Sequence, residues 1–404
     1  MRSLLNERLH DDPLAGEAAD IVRSCVHCGF CNATCPTYQV SGDERDGPRG
    51  RIYLMKSWLE ADAATATTQA HLERCLLCRS CETTCPSGVR YGRLLDLVRP
   101  RVNQAVGLSA WQRATRALLK HVIPYPRRWR AAVATGRLLR PLLPAAITRL
   151  YALSDVPPVY APAAHTRRVL LLGGCAQAVL NPAIDTAAMR VFDAVGITLE
   201  RLPGVDCCGA LPYHLGDETM AARLARANID AWWPAIEAGA EAVMATSSGC
   251  GLQLRDYGQV LAGDTLYGPR ASRLVSMVRD PLELIEAKAL RARVRGAGRR
   301  VAVQTPCTLQ HGQRLGGRIE ALLRELGWDI VPANEGHLCC GSAGSYSVLQ
   351  PGMSNTLRER KLGHLMAGGP SAIVTANIGC QLHLAAQAVV PVKHWLEVLA
   401  TALD

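Results

Sequence analysis

Eight cysteines near the start of the chain fall into two runs of one spacing: Cys25, Cys28, Cys31, Cys35, Pro36, and Cys75, Cys78, Cys81, Cys85, Pro86. Each run reads C-x2-C-x2-C-x3-C-P. In that pattern three thiolates wrap one cube of iron and sulfide, and the fourth, followed by proline, reaches the neighbouring cube. The expected ligation is therefore crossed. Cys25, Cys28, Cys31 and Cys85 belong to one [4Fe-4S] cluster, and Cys75, Cys78, Cys81 and Cys35 to the other. A zinc ribbon shows paired C-x2-C knuckles rather than four-cysteine runs, and a disulfide scaffold belongs to short secreted chains. The chemistry implied is electron transfer.

The other eight cysteines form two matching sets. Cys175, Cys207, Cys208 and Cys250 are followed by Cys307, Cys339, Cys340 and Cys380, the first three at an offset of 132 and the last at 130. Both doublets run into glycine, as Cys207-Cys208-Gly209 and Cys339-Cys340-Gly341. Buried cysteines acting as small hydrophobes would explain one or two of these positions, not a duplicated set. Self-similarity at this period means two copies of one domain. All-thiolate ligation suits either iron-sulfur or zinc, so each set is a candidate metal site. The second doublet cannot aim both side chains at one ion from a regular strand, where successive residues face opposite sides. It is expected on a loop, with Gly341, Ser342, Ala343 and Gly344 giving the freedom.

The elements that position these sites follow from periodicity. Arg168–Leu172 and Arg300–Gln304 read as buried strands ending shortly before a lone cysteine. Amphipathic helices are expected through Met189–Val195 and Ile319–Leu326, capped near Gly196 and Gly327. Further helices precede two short strands, Ala242–Met244 and Ala372–Val374, which lead to Cys250 and Cys380. This is an α/β pattern, in which ligand groups gather at the carboxyl ends of strands. The predicted class is α+β overall. A mainly helical two-cluster ferredoxin-type domain (1–98) and a basic helical linker (99–165) lead into two tandem α/β repeats, 166–298 and 299–404.

The chain has 404 residues, 49% of them hydrophobic and 20% charged, which suits several packed domains and argues against disorder. Met1 to Asp20 carries acidic residues and no uninterrupted apolar stretch, so a signal peptide is not expected. Thiolate ligands favour a reducing compartment, and the cytoplasm is the expected location. No apolar run approaches the ~20 residues of a spanning helix. Between Asp96 and Asp155 no residue is acidic, while Arg99, Arg101, Arg113, Arg116, Lys120, Arg127, Arg128, Arg130, Arg137, Arg140 and Arg149 are basic. These eleven exceed the whole net charge of +10. Their alternation with Trp111, Leu118, Leu119, Trp129 and Leu138 suits an anionic membrane surface or an acidic partner rather than nucleic acid. The competing reading is a solvated linker packed on the next domain.

No spaced-glycine dinucleotide fingerprint follows a strand, since Gly173-Gly174 runs directly into Cys175. No catalytic triad or carboxylate pair is legible. His27, His311, His337 and His383 stand near cysteines but carry no ligand spacing, and they are left outside the site. Arg49 and Arg51 open a helix begun by Pro48 whose apolar face is Ile52, Met55 and Leu59. They either offset the charge of a nearby cluster or form a solvated helix start.

Taken together the chain resembles the iron-sulfur subunits of bacterial glycolate oxidase (glycolate dehydrogenase). The resemblance is carried by Cys25-Val26-His27-Cys28-Gly29-Phe30-Cys31, Cys35-Pro36-Thr37-Tyr38, Asp46-Gly47-Pro48-Arg49-Gly50-Arg51-Ile52, Cys85-Pro86-Ser87-Gly88-Val89, Tyr91-Gly92 and both CCG repeats. It implies two N-terminal [4Fe-4S] clusters and C-terminal domains like those of the heterodisulfide reductase B subunit. It also implies a separate flavin (FAD)-binding 2-hydroxyacid dehydrogenase subunit that oxidises glycolate. Electrons would then pass to quinone or the membrane respiratory chain, with this chain peripheral on the inner face of the cell membrane. Iron-sulfur subunits of lactate or anaerobic glycerol-3-phosphate dehydrogenases share a similar design, and a zinc-held docking role for the CCG half is the remaining alternative. One departure is visible. That reductase has five cysteines per repeat, whereas Ser247 and Asn377 stand at the extra position here, so heterodisulfide cleavage is not implied.

Overall fold

The computed structural model describes residues 1, 3–61, 64–138, 160–294 and 298–403. The N-terminal part is helical. The helices Pro13–Ser24, Pro48–Ala61, Ala66–Glu73 and Tyr91–Val106 bury one apolar face each, including Ile21, Val22, Ile52, Met55, Trp58, Leu59, Leu72, Leu94, Leu95 and Val98. Asp12 starts the first of them by accepting from Leu14 N at 2.9 Å, with Pro13 in the first turn. The cysteine runs lie between these helices in tight loops. Both loops wind alike, with positive φ at His27 and Gly29 in one and at Leu77 and Arg79 in the other.

The remainder is two α/β repeats, as the pattern of strands predicts. The strands β1 (Arg167–Leu171), β2 (Ile197–Glu200) and β3 (Ala242–Met244) form a parallel sheet of order β2-β1-β3. In the second repeat β4 (Arg300–Gln304), β5 (Asp329–Val331), β6 (Ala372–Thr375) and β7 (Val392–His394) form a parallel sheet of order β5-β4-β6-β7. The counterpart of β7 in the first repeat is reduced to one parallel bridge, Val243 to Val278. The helices Ala183–Ala194 and Arg318–Glu325 follow the first strands, and Gly196 and Gly327 beyond them take positive φ.

Alternation along β1 divides its side chains between two cores. Leu170 and Leu172 pack against Ala225, Ile229 and Trp232 of the helix Glu218–Glu237. Val169 and Leu171 face a core shared by both repeats, with Phe192, Val301, Val303, Ile319, Leu323 and Trp395. The C-terminal helix Trp395–Ala400 lies on Ala183–Ala194, so the second repeat completes the first. Polar side chains cross the same boundary. Asn181 donates to Glu397 at 3.1 Å, Gln313 donates to Ser248 O at 3.1 Å, and His394 meets Thr246 O at 3.1 Å.

The linker helices Ala110–Val122 and Pro126–Leu138 are present, and residues 139–159, with Arg140 and Arg149, lie outside the described residues. Part of the basic stretch serves packing. Arg116 is buried against Glu73, Arg101 pairs with Asp12 at 3.2 Å, and Lys120 pairs with Asp217 of the first repeat at 2.7 Å. Trp111, Leu118, Arg127, Arg128 and Arg130 remain exposed. Among the described residues no helix is long and apolar enough to cross a membrane.

Three of the buried carboxyls are shifted far upward. Burial pushes Asp96 and Asp280 up to about 7 and Asp185 up to about 6. Each therefore binds a proton more tightly folded than unfolded, where an aspartate titrates near ~3.9. Linkage then makes stability fall as pH rises through the interval from about 4 to about 7. Asp280 caps Pro281–Leu284 by accepting from Leu282 N at 3.0 Å, a role asparagine also fills. Urea unfolding of Asp280→Asn between pH 5.5 and 7.5 is expected to show a flatter profile than the parent by about 2 kcal/mol. Parallel profiles would contradict the assignment.

Candidate metal centres

Cys25, Cys28, Cys31 and Cys85 line one cavity with Ile52 and Val89, and Cys81 reaches it as well. Burial and the adjacent Cys25, Cys28 and Cys85 push the Cys31 thiol up to about 11. Two cysteines of the other motif, Cys81 and Cys85, thus reach this cavity. Cys35, Cys75, Cys78 and Cys81 line a second cavity with Thr37, Arg51 and Tyr91. Burial, then Cys78, Cys75 and Cys35, hold the Cys81 thiol above its ordinary range. The backbone and hydroxyls of this pocket are turned toward sulfur: Leu77 N lies 3.5 Å from Cys75 Sγ, Thr37 Oγ1 3.3 Å from Cys35 Sγ, and Tyr91 OH 3.8 Å from Cys75 Sγ.

The two arginines of the following helix part company. Arg49 is half-exposed and pairs with Glu44 at 2.6 Å. Arg51 is 1% exposed, so a solvated helix start is wrong for it. Its guanidinium donates to His71 O at 2.8 Å and Thr37 Oγ1 at 3.1 Å, and lies 3.7 Å from the Asp46 carboxylate. Burial opposes its charge, yet Cys75, Tyr91, Cys35 and Asp46 hold its pKa above the ordinary arginine value. It is a buried cation beside the Cys35 pocket.

In the second repeat Cys307 and Cys339 lie 3.9 Å apart and Cys340 and Cys380 3.2 Å apart, sulfur to sulfur. The doublet is on a loop, and Gly341 N points at Cys339 Sγ at 3.4 Å. Gly341 has φ +90°, and a Cβ there would stand 2.5 Å from Ser354 O, so only glycine lets the loop close onto the helix Pro351–Met366. The first repeat repeats the arrangement. Cys207 contacts Cys175 and Cys208, Cys208 contacts Cys250, and Gly209 N lies 3.5 Å from Cys207 Sγ. The cysteines thus gather in four places, two cavities that share Cys81 and one set of four in each repeat. Four thiolates brought to one point would be a complete donor set for a [4Fe-4S] cube or a zinc ion.

The sequence carried no sign of how these groups are ordered. Cys78 shares an apolar cluster with Cys307, Cys339, Leu76 and Tyr346. Tyr346 OH donates to Arg74 O at 3.0 Å. His311 bridges the same seam, with Nδ1 2.9 Å from Thr83 Oγ1 and Nε2 2.9 Å from His337 O. His383 meets Ser354 O at 3.3 Å. These histidines hold backbone and hydroxyl groups around the second-repeat site. The first repeat meets the N-terminal part through other residues, with Arg79 pairing with Asp256 at 2.6 Å and Arg99 donating to His214 O at 2.8 Å. Lys361 was also missed. It is 2% exposed, and burial pulls its amine below the lysine range against the opposing effect of Cys340, Cys339, Cys380 and Cys307.

A dicluster-type cysteine module joined to two cysteine-rich α/β repeats defines an iron-sulfur protein. Residues 21–89 match the model of the 4Fe-4S dicluster domain, and residues 169–255 and 301–385 match the cysteine-rich domain. The chain is 47% identical over 405 residues to the glycolate oxidase iron-sulfur subunit of Escherichia coli K12, covering 100% of both. It is 30% identical to the probable glycolate oxidase iron-sulfur subunit of Bacillus subtilis 168, over 89% of this chain and 88% of that one. Lactate utilization protein A of Shouchella clausii is 25% identical over 57% of this chain and 98% of its own length. A crystal structure of a hypothetical protein from Helicobacter pylori shares the fold, with a TM-score of 0.57 at 10% identity, covering 97% of this chain and 72% of that one. The chain belongs to the family of glycolate oxidase iron-sulfur subunits.

Proposed function

We propose that this chain is the electron-transfer subunit of a membrane-associated, flavin-dependent glycolate dehydrogenase and delivers electrons toward the quinone pool. The substrate is taken from the 47% identical relative, and a flavin-containing partner subunit follows from the same likeness. The carrying observation within the chain is the packing of Cys78 with Cys307 and Cys339 in one cluster, which sets one N-terminal site against the second repeat. Cys25, Cys28, Cys31 and Cys85 would hold one cluster, Cys75, Cys78, Cys81 and Cys35 the other, and Cys307, Cys339, Cys340 and Cys380 a third. Bound there, [4Fe-4S] clusters supply one-electron redox capacity without proton or group transfer. The residues around them exclude water, aim amide groups at sulfur and, through Arg51, place positive charge against the Cys35 pocket.

Replacing Cys340 by serine is expected to lower quinone-linked turnover while the N-terminal clusters keep their spectra. Unchanged turnover with quinone and with an artificial acceptor would leave the second-repeat site a structural one. The first repeat supports a second reading for its own four thiols, because its contacts with the N-terminal part run through Arg79 with Asp256 and Arg99 with His214 rather than through a cysteine. A zinc ion that holds a docking module fits that donor set. Metal analysis of anaerobically purified protein separates the cases. About eight irons per chain with zinc supports docking, and about twelve or more supports at least a third four-iron cluster.

The exposed part of the linker supports attachment to an anionic membrane surface or an acidic partner. Charge reversal at Arg127, Arg128 and Arg130 is expected to weaken both co-sedimentation with anionic vesicles and capture by the flavin subunit. The parent's binding should weaken as salt rises, since screening shortens to ~3 Å at 1 M. Indifference of both assays to the reversal would remove the proposal.

A further inference from the structure

Lys361 sits on the helix Pro351–Met366, buried, and its amine donates to two backbone carbonyls, Glu335 O at 3.1 Å and Gly336 O at 3.0 Å. Among the described residues no carboxylate pairs with it. The acidic side chain of that turn, Glu335, is taken by Arg360 at 2.7 Å and His364 at 2.9 Å. A buried ammonium without a counter-ion is costly. The helix that carries it is tied to the cysteine loop: Ser354 Oγ donates to Gly341 O at 2.7 Å, Leu362 packs with Cys340 and Cys380, and the two carbonyls that Lys361 grips lie just ahead of Cys339.

The duplicated fold provides an internal control. The glycines after the doublets, Gly209 and Gly341, face Ala221 O and Ser354 O respectively, which places Ala221 and Ser354 at equivalent points of their helices. Two turns further along each helix stand Asn228 and Lys361. Asn228 is neutral and donates to Cys207 O at 2.9 Å and to Tyr257 Oη at 2.8 Å. One repeat therefore places an uncompensated cation beside its thiols, and its twin places an amide.

We propose that Lys361 is the counter-charge of the centre held by Cys307, Cys339, Cys340 and Cys380, and raises that centre's reduction potential. The inference rests on reading that site as iron-sulfur. Reduction adds one electron, and so one negative charge, with no bond formed or broken. A fixed cation stabilises the reduced form more than the oxidised one, and net charge is among the levers that set cluster potentials. The first repeat, with Asn228, lacks this pull, so electrons collect in the second.

The test is an anaerobic redox titration of the full chain, followed by electron paramagnetic resonance, with Cys340→Ser identifying the second-repeat signal. Lys361→Gln keeps donors for the two carbonyls but removes the charge, and Lys361→Arg keeps the charge. The expected result is a lower midpoint for that signal in the Gln variant and little change in the Arg variant. Iron content and the N-terminal midpoints should stay as in the parent. An unchanged midpoint in the Gln variant overturns the inference alone. Loss of iron from the site in both variants also overturns it, in favour of a purely structural role. Absence of any Cys340-dependent signal in the parent overturns the iron-sulfur reading together with the inference.

Discussion

Replacing Cys35 by serine is expected to destroy or convert the cluster that binds Cys75, Cys78 and Cys81, forty and more residues away, and to spare the one beside it in sequence. The loss should be on the order of four iron atoms per chain. The reason is geometric. Cys35 opens the helix Pro36–Ser41, whose proline turns the chain so that its sulfur lines the cavity of Cys75, Cys78 and Cys81. Cys85, before Pro86, makes the reciprocal crossing into the cavity of Cys25, Cys28 and Cys31. Electron paramagnetic resonance of the reduced variant at low temperature distinguishes the outcomes. A spectrum in which only the Cys25, Cys28 and Cys31 signal has changed would show the ligation to be uncrossed. Cys85→Ser should give the mirror result.

Truncating Trp395 to alanine should produce the largest loss of stability from a single side chain far from sulfur. Trp395 is 1% exposed and belongs to the core common to both sheets, with Val169, Leu171, Phe192, Val301 and Val303. Large-to-small changes at such positions cost about 3–5 kcal/mol, from lost transfer free energy and the cavity left behind. Because the core is shared, the whole cysteine-rich half should unfold at lower urea, with one transition rather than two. Trp395→Phe should recover much of the loss. A shift in unfolding free energy below about 1 kcal/mol would mean the surroundings collapse onto the gap, contrary to the close packing expected of such an interior.

The sequence made the cysteine groups legible because their spacing is fixed by chemistry. The duplicated Cys-Cys-Gly signature made the repeat legible for the same reason. Strands β1, β3, β4 and β6 could be read because each is a short apolar run, buried on both faces. The strands β2, β5 and β7 were not assigned residues. Ile197–Glu200 alternates, Asp329–Val331 is three residues of which only Val331 is buried, and Val392–His394 has lysine at its centre. What places them is pairing with β1, β4 and β6, a contact that local pattern does not encode. Arg51 misled for a related reason. Charge at a helix start usually means solvent, and only the fold reveals the Asp46 carboxylate and the His71 and Thr37 acceptors that make its burial tolerable. The seam between Cys78 and Cys307 joins residues more than two hundred positions apart, beyond the reach of any spacing argument.

The contact between the C-terminal helix and Ala183–Ala194 also sets an order of events during synthesis. The hydrogen bond from Asn181 to Glu397 spans 216 residues, so all of that length must be synthesised before it can form. Until then the helix Ala183–Ala194 has emerged with the side that will meet Trp395 still uncovered, a state that invites chaperones and proteases. The N-terminal helical part has no such wait, since its own core closes within the first 106 residues. Iron delivery to the two ends of the molecule is thereby separated in time. The N-terminal cysteines can be gathered while the chain is still growing, whereas both repeats reach their final shape only once the helix Trp395–Ala400 has emerged.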